Sequence, residues 1–327
     1  MSAIDFVILW VDGADPAWQQ EFRAARRAEG TDSSVIRYRD WGTLRYWFRT
    51  VEQFAPWVRK IHFITWGHLP AWLDTTHPKL HIVRHTDFIP QEWLPTFNSN
   101  AIELNLHRIE DLAEHFVLFN DDTFLTRPCR EEDLFRGGMP CDMARLSVVR
   151  PSSVSSIILN NLELINRHHT RKTLNQHLGK WLAPCYGCSN LLKTLSLLPW
   201  SFYPGFYDPH QPQPYRKSDF VRAWELWGEA LSATCSHPFR STSDLSHWLI
   251  RYDNLCRGCF APRSLRDCGL IDLSDTMIES ATHHIASAKW RMICLHDHEE
   301  VADFERSAEK LQAAFEQLVP EKSSYEH

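Results

Sequence analysis

Two rhythms of apolar and polar positions alternate along the first third of the chain. Ile4 to Trp10 is a short, nearly unbroken apolar run containing Val and Ile, which predicts a buried strand. It gives way to Val11-Asp12-Gly13-Ala14-Asp15-Pro16, where Asp15 suits a helix N-cap and Pro16 the first helical position. The helix so opened carries Trp18, Phe22 and Ala25 on one face, with Arg and Glu elsewhere. A second helix fits Thr43 to Phe54, with Leu44, Trp47, Phe48 and Val51 on its apolar side, and Pro56 stops it. Ile61 to Thr65 and Leu80 to Arg84 read as strands and Ala101 to Ile109 as a helix. Phe116 to Phe119 is a strand that runs straight into Asn120-Asp121-Asp122. This βαβαβ order predicts an α/β fold with a mostly parallel, doubly wound sheet, whose sites lie outside the carboxyl ends of the strands. Asp12 and Asp121/Asp122 both fall at such ends.

The second half is less regular. Residues 150 to 200 read as helical, and a Pro- and aromatic-rich loop follows from Pro199 to Pro214. Helices fit Ser218 to Ala230 and Asp244 to Tyr252. Glu299 to Leu318 is amphipathic through Val301, Phe304, Leu311, Phe315 and Leu318, and the tail after Pro320 is expected to be disordered. The expectation is therefore a mostly parallel sheet with a helical C-terminal half.

Composition narrows the function. With 327 residues, 43% hydrophobic and 23% charged, the chain has material for a core and is not disordered or low-complexity. A net charge of −6 without a basic run argues against nucleic acid as a partner. No run approaches the ~20 apolar residues a membrane span requires. No basic leader precedes the first apolar run, so the expected location is cytoplasmic, with contact at the inner face of a membrane as the furthest extension. The 9 Cys then read as reduced thiols or metal ligands.

Several groupings carry candidate chemistry. Asn120-Asp121-Asp122 at a strand end reads either as a solvated loop start or as hard-oxygen ligands for Mg²⁺ or Mn²⁺. Asp12-Gly13 reads either as a turn or as a close approach for a nucleotide. No G-x-G-x-x-G or P-loop is present. His210, in a Pro-stiffened loop, suits proton transfer or phosphate contact, and Arg240 suits charge neutralisation, although a structural His and a surface ion pair are the plainer readings. Cys294-Leu295-His296-Asp297 is another apolar-to-acidic junction. Cys185-Tyr186-Gly187-Cys188 and Cys256-Arg257-Gly258-Cys259 form two matching hooks with the spacing of a four-thiolate structural Zn²⁺ site, Cys268 being a substitute ligand, or else they are unpaired thiols.

In combination these motifs resemble a known family. Ile4-Asp5-Phe6-Val7 through Trp10-Val11-Asp12-Gly13-Ala14-Asp15-Pro16 is similar to the opening block of the Stealth family of capsular polysaccharide phosphotransferases, which includes the animal enzyme that places GlcNAc-1-phosphate on lysosomal glycoproteins. Arg37-Tyr38-Arg39-Asp40-Trp41-Gly42-Thr43-Leu44-Arg45-Tyr46 resembles the start of its second block, which continues through Thr65-Trp66-Gly67, Leu94-Pro95-Thr96-Phe97-Asn98-Ser99 and Asn120-Asp121-Asp122. His210-Gln211-Pro212 through Phe239-Arg240-Ser241 resembles the third block, and Cys294-Leu295-His296-Asp297 the fourth. Trp41 and Thr43 stand where the family pattern has Asn and Glu, and His296 where it has Asn.

The resemblance implies one catalytic domain over residues 1–319. Residues 1–150 would form the nucleotide-sugar-binding part, 151–300 a helical part completing the site, and 300–319 a C-terminal helix. It implies transfer of a sugar-1-phosphate from a nucleotide diphospho-sugar, a UDP-hexose or UDP-N-acetylhexosamine, to a saccharide hydroxyl with release of UMP. Asp122 and Asp297, with Asp121, would hold Mg²⁺ or Mn²⁺; Arg240 would stabilise phosphoryl oxygens; His210 would act as base or phosphate donor. Asp12, Gly13, Arg39 and Asn120 would bind the donor. The competing readings are a metal-dependent glycosyltransferase that releases UDP and a catalytically dead, zinc-stapled binding protein.

Overall fold

The computed structural model describes residues 3–29, 38–297 and 301–327. Arg37, which heads the second resemblance block, and Glu299, where the last helix was expected to begin, lie outside these residues.

Eleven strands are present among the described residues: β1 (Ile4–Leu9), β2 (Ile61–Thr65), β3 (Leu80–Arg84), β4 (His115–Phe119), β5 (Thr123–Leu125), β6 (Phe135–Arg136), β7 (Met139–Asp142), β8 (Gln213–Arg216), β9 (Ala261–Pro262), β10 (Cys268–Asp272) and β11 (Met292–His296). The main sheet has the order β3-β2-β1-β4-β8. Its first four strands are parallel, with Phe6 opposite Ile61 and Val117; β8 runs antiparallel against β4. The chain is thus mixed α/β with a mostly parallel central sheet, as the alternating rhythm predicts.

Period-two alternation explains why these strands are apolar throughout. Ile4, Phe6 and Ile8 enter one core, while Val7 enters a second on the opposite face; Val117 and Phe119 of β4 divide from Phe116 and Leu118 in the same way. Helix Leu44–Phe54 covers the first face with Trp47 and Phe48, both fully buried. Helix Phe304–Leu318 returns to that same core, its Phe315 packing on Phe124 of β5 with ring centroids 4.6 Å apart. The second face is covered by helices Ser155–His168, Lys217–Cys235 and Trp248–Cys256.

Asp5 is the one charged residue inside β1, and it is fully buried. It accepts bonds from Arg59 Nε (2.7 Å), Arg59 Nη2 (2.6 Å) and the Ala113 amide (2.8 Å), and it lies 2.9 Å from His62 Nε2. Burial opposes its charge, but His62 and Arg59 prevail and hold its carboxyl below the usual range. A depressed folded-state pKa gives stability that is present above the ordinary carboxyl value of about 4 and lost as pH falls through the folded value. Asp5→Asn is therefore expected to flatten the fall in urea midpoint between neutral and acid pH, besides lowering the midpoint at pH 7.

Several boundaries differ from the sequence reading. The expected helix over Ala101–Ile109 is Ser99–Leu104 followed by a 3₁₀ turn, Leu106–Arg108, because Asn98 caps the start by accepting the Asn100 amide. The expected helix from Asp244 begins only at Trp248. The C-terminal half is not simply helical: β10 and β11 pair in parallel, and β11 joins β5 antiparallel. Strand β8 was hidden in a Pro-rich loop; Pro214 is accommodated because β8 is an edge strand, where a missing N–H leaves no ladder bond unmade.

The expected disordered tail is also corrected. Residues after Pro320 fold back so that the Asp74 amide donates to Tyr325 O (2.8 Å) and the His327 amide to Trp72 O (3.0 Å). Tyr325 is buried against Phe48, and Glu326 takes Arg49 in two bonds of 2.7 and 3.0 Å. The cause is a buried guanidinium that requires an anion. Truncation after Pro320 is expected to cost about 3 kcal/mol of stability, read by urea unfolding.

Candidate active site at the carboxyl ends of the strands

β1 and β4 are parallel neighbours, so the segments that follow them emerge at one edge of the sheet. After β1, Asp15 Oδ1 accepts the Trp18 amide (2.8 Å) and caps helix Pro16–Glu29, as predicted. Asp12 Oδ1 accepts the Ala14 amide (2.8 Å), and its own amide donates to His68 Nε2 (2.7 Å). From the sequence, Asp12-Gly13 reads either as a turn or as a close approach for a nucleotide. The group that approaches is instead the chain itself, since a Cβ at Gly13 would clash with the Tyr38 carbonyl. Gly13→Ala should therefore push the Tyr38–Asp40 segment outward and cost about 2 kcal/mol, measurable by thermal unfolding.

After β4 the chain turns tightly, Thr123 donating from both its amide (3.1 Å) and hydroxyl (2.8 Å) to Asn120 O. β11 anchors this turn through a Leu295 amide bond to Asp122 O (2.8 Å). Four segments far apart in sequence therefore meet here: 10–15, 38–42, 120–122 and 294–297.

Asp122 is the centre of the arrangement. Its Oδ2 lies 3.5 Å from His210 Nε2 and accepts the Cys294 thiol at 3.5 Å. These three are the one group of His, Cys, Asp or Glu ligand atoms clustered closely enough for a metal among the described residues. Its Oδ1 is buried with no hydrogen-bond partner. Burial and the neighbouring Asp122 push the Cys294 thiol up, so it serves as a neutral donor to the carboxylate. Asp121 can be reached by solvent but is crowded by protein on its other sides. That crowding, together with the carboxylates of Asp122, Asp40 and Asp297, pushes it up to about 7. An unpartnered buried carboxylate oxygen is what a hard divalent cation relieves, so Asp122 fits Mg²⁺ or Mn²⁺, while Asp121 lies beside it but outside the three-atom cluster.

His210 has a left-handed backbone, φ 46°, uncommon for a residue with a side chain. Two anchors impose it. Asp208 accepts Arg251 Nη1 (2.9 Å) and the Tyr252 hydroxyl (2.6 Å), and Gln211 Nε2 donates to Gly269 O (2.7 Å). Burial works against a charge on the His210 ring, but the bond to Asp122 and the charge of Glu103 outweigh it and raise its pKa. The His210 ring centroid is 5.0 Å from that of His296, which is itself bonded to Asp272 (2.9 Å).

Arg240 completes this side. Its Nη2 donates to Ser99 Oγ (2.5 Å), and its charge bears on His210, Glu103 and His247. Buried Asp244 frames its loop, accepting Asn98 Nδ2 (2.8 Å) and the Ser241 amide (3.0 Å) and lying 2.7 Å from His237 Nδ1. Glu103 was missed in the sequence. Burial pushes its carboxyl up to about 7 against the pull of Arg240 and His210. The available signal was an acid set between Ile102 and Leu104 in an otherwise apolar turn.

Asp297 and Arg39 stand differently from their expected roles. The Asp297 carboxylate accepts Arg39 Nη2 (2.5 Å), Arg39 Nε (3.1 Å) and the Trp41 indole N–H (2.8 Å). Both its oxygens are engaged by this cation and indole, and it lies outside the Asp122 cluster. Trp41, a departure from the family pattern, thus makes a polar contact of its own.

The four hook cysteines do not assemble. Cys185 and Cys188 are exposed, whereas Cys256 is buried at the end of helix Trp248–Cys256, and no three of the hook thiols come within metal-binding distance of one another. The helix directs Cys256 toward Tyr203 in the core, and burial pushes its thiol well up. The four-thiolate zinc reading does not fit this geometry.

Comparison with known proteins agrees with the block order. Conserved region 1 of the Stealth proteins matches residues 3–30, conserved region 2 residues 37–141 and conserved region 3 residues 209–252. A capsular polysaccharide phosphotransferase, WcwK, of Streptococcus pneumoniae is 41% identical over 332 residues, spanning 100% of this chain and 98% of its own. The receptor polysaccharide phosphotransferase WefC of Streptococcus oralis is 36% identical, with 100% of both chains covered. The exopolysaccharide phosphotransferase cps2G of Lactiplantibacillus plantarum is 36% identical over 99% of this chain and 96% of its own. With three family regions in order and relatives matched end to end, the chain belongs to the Stealth family and is a phosphotransferase.

Proposed function

We propose that the chain transfers a sugar-1-phosphate from a nucleotide diphospho-sugar, a UDP-hexose or UDP-N-acetylhexosamine, to a hydroxyl of a saccharide acceptor in capsule or exopolysaccharide synthesis. The observation that carries this reading is the buried, unpartnered oxygen of Asp122 beside His210 and Arg240, at the strand end where a diphosphate would lie. Phosphoryl transfer depends on alignment and charge neutralisation more than on covalent participation of the protein. Mg²⁺ or Mn²⁺ bound by Asp121 and Asp122 would supply that neutralisation at the diphosphate.

The side chains then divide the remaining work. With His210 Nε2–H directed at Asp122, Nδ1 is the basic nitrogen and takes the proton of the acceptor hydroxyl. The acceptor oxygen forms a bond to the phosphorus that bears the sugar. The bond from that phosphorus to the bridging oxygen breaks, and UMP leaves with its electron pair. Arg240 stabilises charge on the phosphoryl oxygens. Arg39, held by Asp297 and Trp41, would present a fixed cation to the donor, with Asp12 and Asn120 as its further contacts. Nine free thiols suit a reducing compartment, in keeping with a cytoplasmic enzyme, and no helix among the described residues is long and apolar enough to cross a membrane.

The test is product identity. Purified protein is incubated with UDP-sugars, Mg²⁺ and oligosaccharide acceptors, and the nucleotides are separated. Acceptor-dependent UMP is expected. Acceptor-dependent UDP would mean that the sugar–oxygen bond breaks, and the reading would be replaced by glycosyl transfer.

A further inference from the structure

One part of the molecule differs in character from the rest. Residues 143–207 carry seven Lys and Arg against a single acid, Glu163, a net charge of +6 in a chain whose net charge is −6. The same stretch is a fifth of the chain, yet it holds seven of the twelve large apolar side chains left exposed among the described residues. The most exposed are Leu192 (65%), Leu159 (54%) and Val148 (52%), with Leu195, Trp200 and Phe202 nearly half exposed. Arg150, Arg167, Lys172 and Lys193 are exposed beside them in sequence.

Hydrogen bonds tie these segments into one lobe. The Ser147 amide donates to Gly205 O (3.1 Å), and the Leu146 amide meets Thr194 Oγ1 (3.4 Å). Arg171 Nη2 donates to Leu198 O (2.9 Å), and Asn166 Nδ2 to Tyr203 O (3.0 Å). Within helix Cys188–Leu197, Leu192 and Leu195 are three apart and share a face, with Lys193 beside them. The turn after that helix presents Trp200 and Phe202 edge to face, ring centroids 5.3 Å apart, between Pro199 and Pro204.

We propose that this lobe docks on an anionic lipid bilayer. Exposed aliphatic and aromatic side chains interleaved with Lys and Arg are what an interfacial membrane surface selects: rings and aliphatic tips enter the headgroup region while cations meet lipid phosphates. Charge complementarity decides the occupant. The rest of the chain is strongly acidic and is repelled by such a surface, so contact is oriented through the lobe alone. The lobe's last residues lead through Tyr207 directly into the loop carrying His210, so docking holds the catalytic cleft close to the bilayer.

Co-sedimentation of the full chain with vesicles tests this without reference to activity. The protein is expected to pellet with mixed phosphatidylglycerol–phosphatidylcholine vesicles but not with phosphatidylcholine alone, and to be released by salt. Trp200→Ser with Phe202→Ser should lower the apparent affinity by roughly tenfold or more. Both side chains are half exposed, and an unchanged melting temperature checks that the fold is kept. Arg150→Glu with Lys193→Glu should abolish the preference for anionic vesicles while leaving the apolar tips in place. Failure of the parent protein to pellet at low salt, or pelleting of both variants to the same extent as the parent, overturns the proposal. Loss of concentration-dependent self-association in the Trp200/Phe202 variant, with no vesicle binding by the parent, would overturn it in favour of a protein–protein interface.

Discussion

Asp122→Asn is expected to leave the melting temperature nearly unchanged and to slow acceptor-dependent UMP release by about a thousandfold or more. The amide matches the carboxylate in shape, and the bond that anchors β11 uses the Asp122 carbonyl rather than its side chain. What disappears is the negative charge. In the proposed reaction that charge would both hold a hard cation and stabilise a protonated His210 across 3.5 Å. A thousandfold corresponds to about 4 kcal/mol, a reasonable share for electrostatic stabilisation in a confined site. Because Oδ1 is buried and unpartnered, removing its charge relieves crowding with Asp121, and stability should if anything rise slightly. Near-parental rates in the variant would remove Asp122 from the machinery. A collapse in stability would instead show that its charge is structural. Initial rates at saturating donor, beside a thermal melt, separate these outcomes.

Arg251→Met should be the most destabilising single change discussed here, by about 3–5 kcal/mol. Arg251 is 1% exposed and joins two carboxylates. Its Nε and Nη2 bind Asp142 at 2.7 and 3.0 Å, and its Nη1 binds Asp208 at 2.9 Å. Methionine fills much of the same volume but leaves both carboxylates without their cation. Burial already pushes Asp208 up to about 6 even with Arg251 beside it, and losing that cation raises it further. A raised folded-state pKa gives stability that is present at low pH and lost as pH rises. The deficit of the variant should therefore be largest at neutral pH and shrink toward pH 5, which paired urea titrations would show. A deficit independent of pH would mean that lost packing, not stranded charge, is the cause. Activity should fall as well, because Asp208 fixes the loop that presents His210.

Much of the framework was legible because its signals are local. The strands of the parallel sheet are continuous apolar runs bounded by turn residues, and Asp15-Pro16 marks a helix start through chemistry confined to four residues. Asp121 and Asp122 were legible as an abrupt change from Phe119. Glu103, Asp244 and Arg251 were not, since a buried charge is recognisable only by a partner that sequence separation hides. Asp142 and Arg251 are 109 positions apart. The cysteine hooks misled for the converse reason: equal spacing suggests a shared purpose, yet each hook sits on a different helix end and only folding decides whether the ends meet. The tail misled because its short polar sequence has no pattern of its own; it is ordered by Arg49, a residue more than 270 positions earlier.

That last arrangement bears on how the chain is made. The core under helix Leu44–Phe54 is composed of the earliest strands together with helix Phe304–Leu318 and Tyr325. During synthesis the first sheet emerges long before the residues that roof it exist, so Trp47, Phe48 and Phe124 wait with one side uncovered. The opposite core, assembled largely from residues 83–260, is complete earlier. Biogenesis should therefore pass through a half-closed species that depends on chaperone shelter until the final segment arrives. Nascent chains arrested before residue 304 would be expected to stay protease-sensitive around Leu44–Phe54, whereas the full-length chain, once released, closes over it.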